Sequence, residues 1–388
     1  MNSETGIQTK KRKRKNQIIE TSVIIALFII LAVILPIIIP AFRLRLVGRF
    51  LSLAIVALGI DLIWGYTGLL SLGHGIFFAL GGYALAMHLN LQIPEGKIPE
   101  FFTLYGVEKL PSIWQPFYSF PFTILALIII PGVVAGLIGY LVFRNRIKGV
   151  YFSILTQAAL LVFYNFFNGQ QELINGTNGL KTDTEKIFGV LASSPNAQRG
   201  FYITTVILLA LVYLLCRWLT SGRFGRLLMA IRDDETRVRF SGYNPTGYKV
   251  LVFAISGAIA GIAGALYTVQ TGIINPSIMQ VAFSIEMVIW VAVGGRGTLI
   301  GAILGTMLVR LAQTFLSESF PEIWLFFQGA LFLIVVTVLP DGIIGWLKDY
   351  GSPKLRSLFG RDRSLVTYPS LVEDPEVQQE RDEIGGRR

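Results

Sequence analysis

Two histidines and one cysteine leave this 388-residue chain little with which to make or break a bond. Cys216 has no second cysteine for an intrachain disulfide, and the three side chains together fall short of a four-ligand zinc site of the usual kind. No G-x-x-x-x-G-K-[ST] loop is present, so the chain has no visible means of hydrolysing ATP. No base–nucleophile constellation stands out. These observations point away from an enzyme and imply neither a metal nor a cofactor.

The residues that remain hydrogen-bond or carry charge inside apolar surroundings. Asp61, Glu286 and Arg310 each fall within an apolar run. An ionisable group at the bilayer centre costs roughly 2.5–3.5 kcal/mol on the insertion scale, so it usually faces a bundle interior or an aqueous cavity. Arg310 reads most simply as a paired structural residue. Glu286 lies in a short run that ends in Gly294-Gly295-Arg296-Gly297-Thr298, the pattern of a broken helix. The string Gly65-Tyr66-Thr67-Gly68-Leu69-Leu70-Ser71-Leu72-Gly73-His74-Gly75 sets four glycines and a histidine between two apolar runs. Irregular backbone at membrane depth is tolerated only where protein buries it or water lines it. Ser71, Gly73 and His74 are therefore candidates for a solute path. The competing reading is a tight turn before an ordinary packed helix, with His74 hydrogen-bonded inside it. Further on, Thr156, Gln157, Asn165, Asn168, Gln170, Gln171, Asn175 and Asn178 crowd one stretch. Amides donate and accept, which suits a small neutral polar solute. Gln157 falls within an apolar run and is the better candidate, because the residues after Asn168 read as a surface loop.

The elements that must position these groups follow from composition. Hydrophobic residues make up 53% of the chain and charged ones 15%, against about 25% charged in a soluble domain. Several apolar stretches reach the ~20 residues that a membrane-spanning helix needs. A soluble enzyme, a nucleic-acid-binding domain and a disordered scaffold are excluded. The runs are continuous rather than alternating, which argues against a β-barrel. The expected fold is all-α: a polytopic transmembrane helix bundle of about ten spans, near 19–39, 46–64, 69–91, 120–143, 150–167, 201–219, 250–271, 281–293, 299–316 and 323–346. A basic segment, 1–18, precedes this domain of 19–349, and a polar tail, 350–388, follows it. Ten crossings place both termini on one side. With that side cytoplasmic, inner segments hold 25 of the 34 Lys and Arg and outer segments eight, as the positive-inside rule requires. The expectation is a multi-pass protein of the plasma (inner) membrane, with cytoplasmic N- and C-termini. The same rule accounts for the basic run 10–15 without a nucleic-acid partner. Arg43, Arg45 and Arg49 are the one clear violation, on the outer side between the first two spans. Glycines inside the runs, such as Gly257, Gly261, Gly264, Gly301 and Gly305, read as close-packing positions between helices.

The inner loop 221–249 differs from the other connections. Charges alternate with apolar residues from Arg226 to Phe240, and Gly242-Tyr243-Asn244-Pro245 supplies a stop. A short amphipathic helix, or helix pair, is expected on the cytoplasmic face.

These strings together resemble one family. Residues 65–75, the Arg-x-Arg-x-Lys-Gly-Val-Tyr-Phe segment at 144–152, the loop 222–245 and Gly294-Gly295-Arg296-Gly297-Thr298-Leu299-Ile300-Gly301 are similar to the branched-chain-amino-acid-type permeases of ABC importers. The resemblance covers roughly 46–346. Within it, Leu58-Gly59-Ile60-Asp61-Leu62-Ile63-Trp64, Leu155-Thr156-Gln157-Ala158 and Phe283-Ser284-Ile285-Glu286 look most like the urea-transport member of the larger-permease branch. The resemblance implies a machine of two homologous permeases and two ATP-binding subunits in the lipid bilayer, fed by a soluble substrate-binding protein. It implies that Arg226, Ile231, Arg232, Asp233, Asp234, Glu235 and Gly242 belong to the segment that couples to the ATPase. That motif's usual alanine-rich portion is replaced here by Thr236-Arg237-Val238-Arg239. The expected substrate is urea or a short amide. The nearest alternative is the same machine carrying branched-chain amino acids, whose charges Asp61 or Glu286 could half meet. A different class, a proton-coupled carrier in which Asp61 and Glu286 titrate, is equally free of ATP motifs.

Overall fold

The computed structural model describes residues 28–350, apart from 94–96, 188 and scattered positions between 321 and 341. The basic segment 1–18, the tail 351–388, the start of the first expected span and half of the tenth lie outside the described residues. Residues 24–346 form one compact unit.

Apolar runs become helices where the sequence places them, with ends set by caps. Helix α1 spans Ala41–Thr67, α2 His74–Asn90, α3 Phe120–Arg144, α4 Val150–Gly169 and α5 Pro195–Ser221. Two short helices follow, α6 over Arg223–Asp233 and α7 over Glu235–Phe240. Then come α8 over Pro245–Thr271, α9 over Val281–Gly294 and α10 over Leu299–Ser319. Among the described residues, six helices (α1, α3, α4, α5, α8 and α10) are long and apolar enough to cross a membrane, and α9 is shorter. Helices α5 and α8 begin five or six residues before the apolar runs do. Ser194 Oγ and Asn244 Oδ1 cap them, each followed by Pro at the first helical position, where no N–H is needed. Helix α1 likewise begins early. The three arginines expected in an outer loop therefore lie on its first turns, and Arg45 Nε donates to the Gln270 carbonyl at 2.5 Å. The fold departs from purely helical in two antiparallel two-residue ladders, Leu180 opposite Ile274 and Lys186 opposite Leu191.

Helix α1 is the axis of this unit. Its apolar window is 83% buried, against 28% for α3 and α4. Helix α8 packs on α1, α2 and α3, and α1 also meets α5 and α10. Glycine permits these approaches. A Cβ at Gly264 of α8 would stand 1.7 Å from the Phe78 carbonyl oxygen of α2, closer than real contacts allow. Gly264→Ala is therefore expected to force α2 and α8 apart, which costs more than the extra methyl could gain. Detergent-solubilised variant should elute aggregated or melt well below wild type. Gly247→Ala, with open space around it, should behave as wild type.

Candidate transport path and coupling surface

Helix α1 closes on Gly68, whose φ of +74° is left-handed and whose N–H reaches the Trp64 carbonyl. The chain then runs irregularly to α2, pinned on α4. Ser153 Oγ donates to the Leu70 carbonyl at 2.6 Å, and the Leu72 N–H donates to Thr156 Oγ1 at 3.1 Å. The Gly73 N–H donates to Ser71 Oγ at 3.3 Å. Gly73 has no room for a side chain, because a Cβ would lie 2.8 Å from the Thr156 carbonyl. Ser71, Gly73 and His74 are thus brought together and buried, and the group of α4 that meets them is Thr156. Gln157, the expected contact, is half-buried on another face of α4 and has no hydrogen bond among the described residues. Spacing alone could not choose between adjacent positions of one helix. Thr156→Val should therefore strand the Leu72 N–H at a cost of about 1–3 kcal/mol, while Gln157→Leu leaves stability unchanged within about 0.5 kcal/mol. Thermal melts of the two variants in one detergent check this.

His74 opens α2 and is 1% exposed. Its Nε2 lies 2.7 Å from Ser256 Oγ, which donates onward to the Gly59 carbonyl at 2.6 Å. The serine hydrogen is spent on Gly59, so the imidazole must be the donor and carries its proton on Nε2. Phe77 and Phe253 meet the ring edge-on. His74 accordingly ties α2, α8 and α1 together, and the packed reading of this histidine describes its surroundings.

Asp61 is wholly buried in α1, and its Oδ1 accepts the Gly297 N–H at 2.6 Å. Gly65, one turn on, could carry no Cβ, which would fall 2.4 Å from Gly297 N. Asp61 thus fastens the turn between α9 and α10 to the end of α1. Glu286 has a separate partner. Its Oε2 lies 3.4 Å from Arg310 Nη1, with side chains 16% and 19% exposed respectively. Arg310 Nη1 also donates to Gln313 Oε1 at 2.5 Å, and its guanidinium carbon sits 5.7 Å from the Phe50 ring and 5.8 Å from the Trp290 ring.

The segment after α5 is a helix pair, broken at Asp234. That residue caps α7 by accepting the Arg237 N–H at 3.0 Å. Arg232 reaches out of the pair to the Gly65 carbonyl at 2.8 Å, with Asp233 on its Nε at 3.2 Å. Glu235 does not face outward as a partner contact would, and neither does Ile231; both are buried against the body. Three cations surround the Glu235 carboxylate: Lys249 Nζ at 2.6 Å, Arg239 Nη2 at 2.8 Å and Lys148 Nζ at 3.0 Å. Burial alone would raise this carboxyl, but the hydrogen-bonded cations hold it at about 2. The outward face is made by Arg226, Asp233, Asp234, Arg237 and Gly242, with Tyr243 and an 89% exposed Phe240. Sequence reasoning does not single out Phe240, because at helical spacing it reads as part of the apolar stripe.

A family model described as the permease component of the branched-chain amino acid transport system matches residues 42–336. The chain belongs to this permease family. Among its relatives is the high-affinity branched-chain amino acid transport system permease protein LivM of Salmonella typhimurium, 26% identical over 311 residues, covering 75% of this chain and 67% of the relative. The probable branched-chain amino acid transport permease protein LivM of Methanocaldococcus jannaschii is 27% identical over 319 residues, 75% of this chain and 89% of the relative. The permease protein BraD of Pseudomonas aeruginosa, named for the same transport system, is 23% identical over 302 residues, 75% of this chain and 91% of the relative. No solved structure matches. As a member of this permease family the chain is a transport subunit and not an enzyme, and it is a multi-pass protein of the plasma (inner) membrane. The relatives are named for branched-chain amino acids, so the narrower resemblance to a urea permease has no support among them.

Proposed function

We propose that this permease is one membrane-spanning subunit of an ATP-driven importer of branched-chain amino acids. A soluble binding protein delivers the substrate, separate ATPase subunits supply the energy, and a homologous second permease completes the path. The helix pair α6–α7 then faces the cytoplasm, as do both termini, with ten crossings in all. The observation that carries the ATP-driven reading is the surface of this pair. Phe240 and Tyr243 are exposed on a segment that also exposes Arg226, Asp233, Asp234 and Arg237 and is anchored through Glu235, as a docking surface would be. Against a proton-coupled carrier, Glu286 is matched by Arg310 and Asp61 is committed to the Gly297 N–H. The names of the relatives favour amino acids over urea.

Proteoliposomes holding the assembled importer test this directly. With ATP on the ATPase side and the proton gradient collapsed, labelled leucine should accumulate and labelled urea should not. At fixed ATP, imposing a proton gradient should leave that uptake unchanged. Accumulation of urea alone would remove the substrate assignment. Uptake that follows the proton gradient and ignores ATP would remove the ABC assignment.

A further inference from the structure

We propose that Arg310, Trp290 and Glu286 form a subsite for a zwitterionic amino acid, its carboxylate on Arg310 and Trp290 and its ammonium on Glu286. The proposal deepens the amino-acid reading above and rests on it. Arg310 lies near the middle of the 21-residue α10, at a depth where a charge is retained only with a partner or a task. Gln313 is a close neutral partner, but the charged partner is loosely held. The 3.4 Å separation from Glu286 is longer than the ~2.7–2.9 Å of a charge-assisted hydrogen bond. Two buried donors beside it are unmet. Among the described residues, Arg310 Nε has no acceptor, and neither has Trp290 Nε1, on a wholly buried indole whose ring lies 5.8 Å from the guanidinium. Most buried polar groups are satisfied, so two unmet donors beside a single charge pair leave room for an acceptor there.

A ligand with both signs of charge completes the set. Its carboxylate accepts from the guanidinium fork and the indole N–H, and its ammonium takes the place of the guanidinium on Glu286. Urea could hydrogen-bond there, but separating Glu286 from Arg310 with a neutral molecule leaves two charges without counter-charges. The aromatic rings of Phe50 and Trp290 flank the guanidinium, and Phe283 packs on Trp290, which gives apolar surroundings suited to an aliphatic side chain. Asp61, the other acid inside a span, also has a buried oxygen without a partner, Oδ2, but no cation pairs with it among the described residues, so it offers a zwitterion only half a site.

The test is equilibrium binding of labelled leucine to the full chain in nanodiscs, with three competitors. Leucinamide lacks the carboxylate, 4-methylpentanoate lacks the ammonium, and urea lacks both. Unlabelled leucine should compete at least about tenfold better than either truncated analogue, because a site built to pair a group rejects the ligand that lacks it. Urea should not compete. Arg310→Gln should abolish the preference for leucine over leucinamide. Trp290→Phe keeps the ring and should weaken leucine roughly fivefold while leaving the weak competition by leucinamide unchanged, a selective loss that general destabilisation does not produce. Saturable leucine binding absent from wild type, equal competition by leucine and leucinamide, or unaltered selectivity in both variants would each overturn the subsite. If the assembled importer accumulates leucine while these variants keep wild-type selectivity, the subsite fails and the amino-acid reading stands. If it accumulates only urea, that reading fails.

Discussion

Replacing Glu235 with lysine is expected to abolish ATP-driven uptake and to cost about 3 kcal/mol of stability or more. The carboxylate is the only acid among Lys148, Arg239 and Lys249 in its ion-pair cluster, and its own side chain is 8% exposed. Lysine there would set a fourth cation among three. Glu235→Gln keeps the shape and removes the charge, so it isolates the electrostatic part. The magnitude follows from the lowered carboxyl, at about 2 instead of an ordinary 4.5. The drop from 4.5 to about 2 corresponds to roughly 3–4 kcal/mol. The sign follows from which form is favoured. A carboxyl lowered in the folded state adds stability that is fully present well above pH 4.5 and drains away as pH falls from about 4.5 toward 2. Wild-type melting temperature should fall across that acid window, and the Glu235→Gln variant should lack this component of the fall. Identical acid profiles would show that the cluster adds no stability. Asp234→Lys is a milder change. It removes a cap on an exposed turn, worth about 1 kcal/mol, and leaves the cluster intact.

The second large effect is expected at Phe240, for the opposite reason. At 89% exposure it adds little to the fold, so Phe240→Ala should change stability by no more than about 0.5 kcal/mol. A large aromatic at the centre of a docking surface commonly carries 2 kcal/mol or more of binding, about thirtyfold in affinity. Phe240→Ala should therefore melt like wild type, yet lose the ATPase subunit on purification and lose ATP-driven uptake with it. Retention of both would mean that the α6–α7 surface is not where the ATPase sits.

The contrast between Glu235 and Phe240 also shows where the sequence stops being readable. Apolar runs located the long helices, because burial in lipid or protein demands the same unbroken composition. The helix ends were missed at Pro195 and Pro245, where a polar cap and a proline lie outside the apolar run and only the hydrogen bonds reveal the start. The α6–α7 segment was legible as amphipathic. Which of its acids faces inward was not, because that depends on Lys148 from the α3–α4 connection and Lys249 from α8. Likewise Glu286 and Arg310 were both visible as charges in apolar runs, but their pairing across 24 residues depends on how α9 folds back on α10. Thr156 and Gln157 are neighbours, and only the rotation of α4 assigns one to the irregular string and the other elsewhere.

The bond from Asp61 to the Gly297 N–H joins residues 236 positions apart. At a synthesis rate of roughly 5–20 residues per second, α1 precedes its partner by about 10–50 s. Over that interval the first-made part of the axis is in place before the helices that enclose it have been translated. Its aspartate has no Gly297 N–H, its Arg45 has no Gln270 carbonyl, and its Gly65 carbonyl has no Arg232. Helix α1, largely buried in the finished unit, thus stays incomplete until the α9–α10 turn has been made. A ribosome that stalls before the α9–α10 turn leaves a nascent chain with an unmatched acid at its centre, a form that quality control can distinguish from the completed protein.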